Sequence, residues 1–326
     1  MKKFMLDRRQ AVQLGFTAAA ALGLAACSDG PSDSGSSSSS SESSSSSDTA
    51  STDIDKDAFD ALVASVEQAD DATIEASAWA KAVKENGSLR LGATRTSALF
   101  SQLDETTDKV YGFDAGLYLS LTRYILGDET KYDYTQVTSD TRESVLQNDQ
   151  VDTVFASYTI NDKRKELISF AGPYLTTQQA ILVLADNTDI NSVDDLAGKK
   201  VAVQSGSTGP QQLADACPTA EAQEFTKDDE CRAALEQGRV DAYVVDNTLQ
   251  MGNVIKNPGK YRIAGDPFGP EDKLGIGVPL GSDGVDFING FLKKFEDDGN
   301  WAKLYQIAIC DRTGIASVPE PPALGA

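Results

Sequence analysis

The sequence predicts an α/β protein of two lobes, each a mainly parallel sheet flanked by helices, with two strands joining them. Three observations predict it. Strand and helix patterns alternate between residues 88 and 167, which calls for parallel strands with right-handed crossovers. The alternation restarts at Lys200 and runs to Val245. Two apolar stretches, 180–184 and 274–279, lie where strands crossing between the units have to run.

The first unit opens with a short strand at 89–91. A helix at 113–126 follows, with Leu117, Leu121, Tyr124 and Ile125 on one side. Residues 132–137 read as a strand and 141–147 as a helix, with Asp140 and Glu143 at capping-box spacing. A strand at 151–156 and a helix at 162–167 complete it. The second unit reads strand 200–203, helices 208–216 and 232–237, and strand 240–245. A last helix carries Phe287, Ile288, Phe291, Leu292 and Phe295 on one face and returns to the first unit. The expected division is lobe 1 at 87–182 and 275–312, lobe 2 at 183–274, and a flexible tail at 313–326. Ahead of lobe 1, residues 53–86 have helical spacing in Phe59, Leu62, Val63, Val66, Ile74, Trp79 and Val83. They read as two short helices with a polar break at Asp70 and Asp71, padding the surface.

The first 26 residues look like an export signal. Lys2, Lys3, Arg8 and Arg9 precede an apolar stretch too short and too interrupted to span a bilayer. It ends Leu24-Ala25-Ala26-Cys27, which resembles a bacterial lipobox, and that resemblance makes Cys27 a lipidation site. Arg8-Arg9 also looks like a twin-arginine signal. From Ser28 to Ser51, 15 of 24 residues are serine, so the stretch has nothing to bury and reads as a tether at 27–52.

Composition excludes several function classes. Fifty acidic against 29 basic residues give a net charge of −21. That is the wrong sign for a nucleic-acid binder, or for holding an anionic membrane by charge. Histidine is absent, which removes imidazole-based nucleophiles and His-ligated metal sites. The four cysteines form no CxxC pair. No cofactor is expected.

Several stretches, in order, carry a family resemblance. They are Gly112-Phe113-Asp114, 137–142 (VTSDTR), 158–164 (YTINDKR), 169–174 (SFAGPY), 194–208 (DDLAGKKVAVQSGST) and 235–246 (LEQGRVDAYVVD). Residues 86–310 thereby resemble the solute-binding proteins of amino-acid ABC importers, glutamate/aspartate-type members above all. The resemblance implies a two-lobed, type II periplasmic-binding-protein-like fold that closes on one amino acid by hinge motion. It implies an ABC permease and its ATPase subunits as partners, a monomer, and no covalent chemistry. The expected location is outside the cytoplasm, with membrane contact through the lipid anchor alone.

An amino acid presents a carboxylate and an ammonium, and burying either without a partner costs several kcal/mol. Arginine suits the carboxylate as a planar two-pronged donor. Arg164 follows a strand and opens a helix, the sheet-edge position where ligands bind; the resemblance gives it the α-carboxylate. Alternatively it pairs with Glu166 or Asp162 at the surface. Asp246 ends an apolar strand; the resemblance makes it the ammonium partner, and it can also cap the next helix. Ser157 and Thr159 are two apart on an extended stretch, so their hydroxyls face one way. Ser207 and Thr208 follow a strand and open a helix, whose free N–H groups can grip a carboxylate. Ser139 and Arg142 align with positions that hold a distal carboxylate in the glutamate/aspartate-type members. Arg95 is an additional candidate on the first loop. Two neighbouring arginines repel unless an anion lies between them, which points to glutamate or aspartate. Gln204 and the register of Arg95 depart from the pattern and leave glutamine, asparagine or another polar amino acid open. A dehydratase-like enzyme on the same fold is the less favoured alternative; it needs a second acid in the cleft. Phe100, Phe170 and Tyr174 are candidates for the apolar wall or for the core. Outside the cytoplasm Cys217 and Cys231 could form a disulfide; free thiols are the alternative. Cys310 is left over.

Overall fold

A computed structural model describes residues 52–325. The export signal, Cys27 and nearly all of the serine-rich tether lie outside the described residues. The chain begins with three helices, α1 (Lys56–Ala64), α2 (Asp71–Glu75) and α3 (Ala78–Asn86). The expected break at Asp70 is a helix start: its carboxylate accepts from Thr73 N at 2.7 Å and caps α2, and Ser77 caps α3 likewise. Nor do these helices merely pad the surface. Phe59, Leu62, Val63, Ile74, Trp79 and Val83 are buried in the largest apolar core of the body.

Lobe 1 continues with β1 (Leu89–Ala93) and a small antiparallel meander, β2 (Thr96–Ser97), β3 (Ser101–Asp104) and β4 (Lys109–Tyr111). Next come α4 (Phe113–Leu126), β5 (Tyr132–Gln136), α5 (Arg142–Gln147), β6 (Thr153–Thr159) and α6 (Asp162–Lys165). Helix α4 is apolar nearly all round and is buried accordingly. Gly112 lets it begin there: at φ 129° a Cβ would lie 2.5 Å from the Phe100 carbonyl. The capping box at α5 does not form. Thr141 takes the cap position, but its hydroxyl accepts from Thr138 N and not from the helix, and Asp140 accepts from the Ser205 hydroxyl of the other lobe.

Two long strands carry the chain between lobes, β7 (Ser169–Leu184) and β11 (Tyr261–Val278). Between them lie β8 (Lys200–Gln204), α7 (Gly209–Ala216), β9 (Glu221–Phe225), α8 (Asp228–Glu236), β10 (Ala242–Asp246) and α9 (Asn247–Lys256). The sheet runs β5-β1-β6-β11-β7-β10-β8-β9. Its outer strands are parallel in each lobe, and β7 and β11 run antiparallel through the middle. Residues 169–177 of β7 pair with 272–278 of β11 in lobe 1, and residues 181–184 pair with 261–264 in lobe 2. The changeover falls at Thr177–Gln179 and Phe268–Asp272, where the ladder slips register. Strand β9 is absent from the sequence reading because it is a polar edge strand: Glu221 and Glu224 keep it wet and discourage a further strand.

Helix α7 leads from β8 outward to the edge strand β9, and α8 leads back past β8 to β10. With right-handed crossovers the two helices cover opposite faces of the sheet. Cys217 ends α7 in the core with Leu213 and Val203, whereas Cys231 lies in the core with Leu235 and Tyr243. Both are free and buried, so the expected Cys217–Cys231 disulfide does not form. Cys310 is also free and buried.

After β11 the chain returns to lobe 1 as α10 (Gly284–Asp297), α11 (Asn300–Tyr305), a π-helical turn (Gln306–Cys310) and α12 (Asp311–Thr313). The tail expected to be flexible is laid down on lobe 1. Ile315, Val318 and Leu324 pack against its core, and Gly325 N donates to Gly172 O at 2.8 Å. Among the described residues no helix is long and apolar enough to cross a membrane.

Candidate functional site

The C-terminal ends of β1, β6, β8 and β10 meet between the lobes around a cavity of about 490 Å³. Arg142, Arg164, Ser139, Ser157 and Thr159 line it from lobe 1, and Ser207, Thr208 and Asp246 from lobe 2. Arg95 does not reach it. Its guanidinium lies 3.8 Å from the centre of the Tyr134 ring on β5, where cation–π attraction holds it off the cleft. Phe100, Phe170 and Tyr174 are packed in the core and do not line the cavity.

Arg164 is buried. Its Nη1 donates to Thr159 O at 2.7 Å, and its Nη2 crosses the cleft to Gly206 O at 2.7 Å. Its Nε lies 3.4 Å from Glu143, so neither Glu166 nor Asp162 takes it. Arg142 is buried too, yet among the described residues no carboxylate pairs with it. Its Nη1 donates to Ala156 O at 2.9 Å, and its Nε has no hydrogen-bond partner. Both guanidinium carbons lie within 5.0 Å of the Tyr158 ring centre. Burial, reinforced by Arg164, pulls the Arg142 pKa down to about 10, which still leaves it charged at neutral pH.

Ser157 and Thr159 share the cavity for a reason other than strand alternation. Ser157 has φ 45°, so the regular two-residue repeat is broken there. Ser207 is spent on a turn: its hydroxyl donates to Gln204 O and accepts from Gly209 N, which occupies one of the helix-start donors.

The acids of the site are held by amides. Asp246 stands before α9, but its carboxylate does not cap the helix and accepts from Gln179 Nε2 at 2.9 Å. The same amide donates at 3.0 Å to Asp272, which also accepts from Thr208 and from Gln212. Burial, with Asp272 nearby, pushes Asp246 up to about 7. Burial raises Asp272 as well. Gln179 and Asp272 were not legible in the sequence. Each sits on a lobe-crossing strand at the changeover, and they meet across 93 residues of chain.

The lobes touch on two sides of the cavity. Asp140 meets Ser205, and Gly206 packs against Ser139 so closely that a Cβ would lie 2.8 Å from its carbonyl. Opposite, Lys256 Nζ of α9 donates to Gln102 at 3.0 Å. Arg232 and Asn253 line the far end, both turned toward Asp228.

Comparison with known proteins agrees with this geometry. Residues 89–308 match the model of the bacterial extracellular solute-binding proteins, family 3. The chain is 33% identical over 227 residues to the ABC transporter glutamine-binding protein GlnH of Bacillus subtilis, covering 69% of this chain and 82% of that one. It is 34% identical over 205 residues to the glutamate-binding protein GluB of Corynebacterium glutamicum, covering 58% and 69%. The crystal structure of a cysteine-binding protein from Campylobacter jejuni superposes with a TM-score of 0.69 at 25% identity, covering 76% of this chain and 99% of that one.

Proposed function

The chain belongs to the bacterial extracellular solute-binding proteins, family 3, and from that membership we propose that it captures an acidic amino acid, glutamate or aspartate, for its importer. The coarser part is established by the family: an extracytoplasmic amino-acid-binding protein with the type II periplasmic-binding-protein-like fold, serving an ABC transporter. The acidic ligand is our reading. Its support is Arg142, a buried guanidinium with a vacant Nε and no carboxylate, on the wall beside Arg164. A ligand with a second anionic end relieves that charge.

In this reading Arg164 takes the α-carboxylate, Asp246 takes the ammonium, Arg142 and Ser139 take the distal carboxylate, and Ser157, Thr159 and Thr208 add hydrogen bonds, while the Ser207 hydroxyl stays on its turn. Ligand touches both lobes at once and so favours the closed arrangement. Cys27 carries the lipid anchor, and the protein works as a monomer without covalent chemistry. Likeness to the glutamine-binding protein supports a second reading, a neutral amide at the distal position. Calorimetric titration of L-glutamate, L-aspartate and L-glutamine separates them. The acidic reading expects Arg142→Ala to cost glutamate about 100-fold and glutamine about threefold or less, the scale of an unpaired buried charge against a neutral contact. Equal losses would reject it.

A further inference from the structure

Asp114, in the first turn of α4, is a buried acid that the proposed ligand contacts leave without a role. It is 1% exposed and does not line the cavity. One oxygen accepts from the Tyr174 hydroxyl at 2.7 Å, and the other accepts from the backbone N–H of Ser157 at 3.0 Å. Ser157 is the unusual residue of β6. Two other non-glycine residues among those described have positive φ, and both are aspartates in turns or loops, where that conformation is tolerated. A serine at φ 45° inside a strand lacks that excuse. The strand bulges there: β6 spends five residues, Val154 to Tyr158, where β11 spends three, Gly277 to Gly275. The bulge turns the Ala156 and Ser157 carbonyls onto Arg142 Nη1, at 2.9 and 3.4 Å.

We propose that Asp114 is a positioning residue: by holding the Ser157 N–H it fixes the bulge of β6 in its left-handed form, and the bulge aims Arg142 into the cavity. A left-handed serine is strained and persists only where its surroundings fix it. Tyr174 anchors the far oxygen, so the carboxylate cannot swing away from Ser157. What the role requires is an acceptor at this place, and the negative charge itself is secondary.

The inference rests on the cavity being an amino-acid site, so one arm of its test needs no ligand. Hydrogen exchange of the segment 153–159 in the ligand-free protein should accelerate at least tenfold in Asp114→Ala and stay near wild type in Asp114→Asn, whose amide oxygen still accepts. Unchanged exchange in Asp114→Ala would overturn the proposal. In calorimetry, Asp114→Ala should weaken L-glutamate, or L-glutamine if that is the amino acid bound, by about ten- to a hundredfold. Asp114→Asn should stay within about threefold of wild type. Adding Ser157→Gly to Asp114→Ala should recover a clear part of the loss, because glycine adopts positive φ without strain. That recovery is what a general loss of stability cannot produce. Asp114→Asn falling as far as Asp114→Ala, or no recovery with glycine, would equally overturn it. Should Asp114→Ala fail to fold, the exchange and affinity of Asp114→Asn against Tyr174→Phe decide: Phe, which frees the carboxylate, must show the larger loss in both. If neither amino acid binds the wild type, the functional reading fails, and the exchange arm still judges the role of Asp114.

Discussion

The two walls of the cleft hold opposite charges by opposite means. Lobe 1 presents Arg142 and Arg164, held by main-chain carbonyls and by the face of Tyr158. Lobe 2 and the crossing strands present Asp246 and Asp272, held by one shared amide and by Thr208 and Gln212. Neutral dipoles position Arg142, Asp246 and Asp272, whereas Arg164 also has Glu143 3.4 Å from its Nε, and of the four all but Asp272 line the gap. In the proposed reading a zwitterion entering this gap takes one orientation, carboxylate toward lobe 1 and ammonium toward lobe 2. On that reading closure itself sorts charge: only when the walls approach do both ends of the ligand find partners.

The comparison breaks most completely at Arg164, which touches both walls. Arg164→Ala should reduce binding of every amino acid by about a thousandfold or more, the scale of unpairing a buried charge. Calorimetry that finds a loss confined to acidic ligands would give the α-carboxylate another partner. The opposite wall is next. With Asp246 pushed up to about 7, the free protein holds a proton there on the acid side, and an ammonium needs the ionised form. Affinity should therefore fall roughly tenfold per pH unit below about 7 and level off above it, with a proton released on binding. Asp246→Asn should bind about 100-fold more weakly and lose this slope. A wild-type affinity flat from pH 5 to 8 would contradict the assignment. The same shift gives stability the reverse trend. Between the usual 3.8 and about 7 the folded state keeps a proton that the unfolded chain releases, so ligand-free stability should decline as pH rises through that window; Asp114, raised by burial to about 6, adds the same sign. Gly206→Ala attacks the approach of the walls. It places a Cβ at φ 70°, against the Ser139 carbonyl and Asp140, and should weaken binding about tenfold while sparing each lobe's fold. Smallest of all, a reducing agent should not move the melting temperature, because Cys217 and Cys231 lie in separate cores. A drop of several degrees would place a disulfide where the structure has none.

How much of this was legible depended on distance along the chain. The α5–β6–α6 stretch delivers Ser139, Arg142, Ser157, Thr159 and Arg164 to the cavity within 26 residues, and two of the motifs that carry the family resemblance, 137–142 and 158–164, bring them there. Asp246 was visible because a charged residue closes a fully apolar strand. Gln179 and Asp272 were invisible, since nothing local marks a polar residue on a long strand as a partner of another far away. Arg95 failed for the same reason: its fate was decided by Tyr134, across β5. The cysteines were misplaced because sequence spacing does not reveal which face of a sheet a crossover takes.

The route of the chain also orders its own assembly. Lobe 2 is one uninterrupted run between β7 and β11, complete well before synthesis ends. Lobe 1 is gathered from both sides of it: the opening helices with the β1–α6 region, and everything after β11, down to Gly325 on Gly172. A nascent chain therefore finishes its smaller half first and leaves the larger one unsealed until the segment after β11 emerges. Removing α1–α3, or the segment after β11, would leave that larger half open and lobe 2 whole.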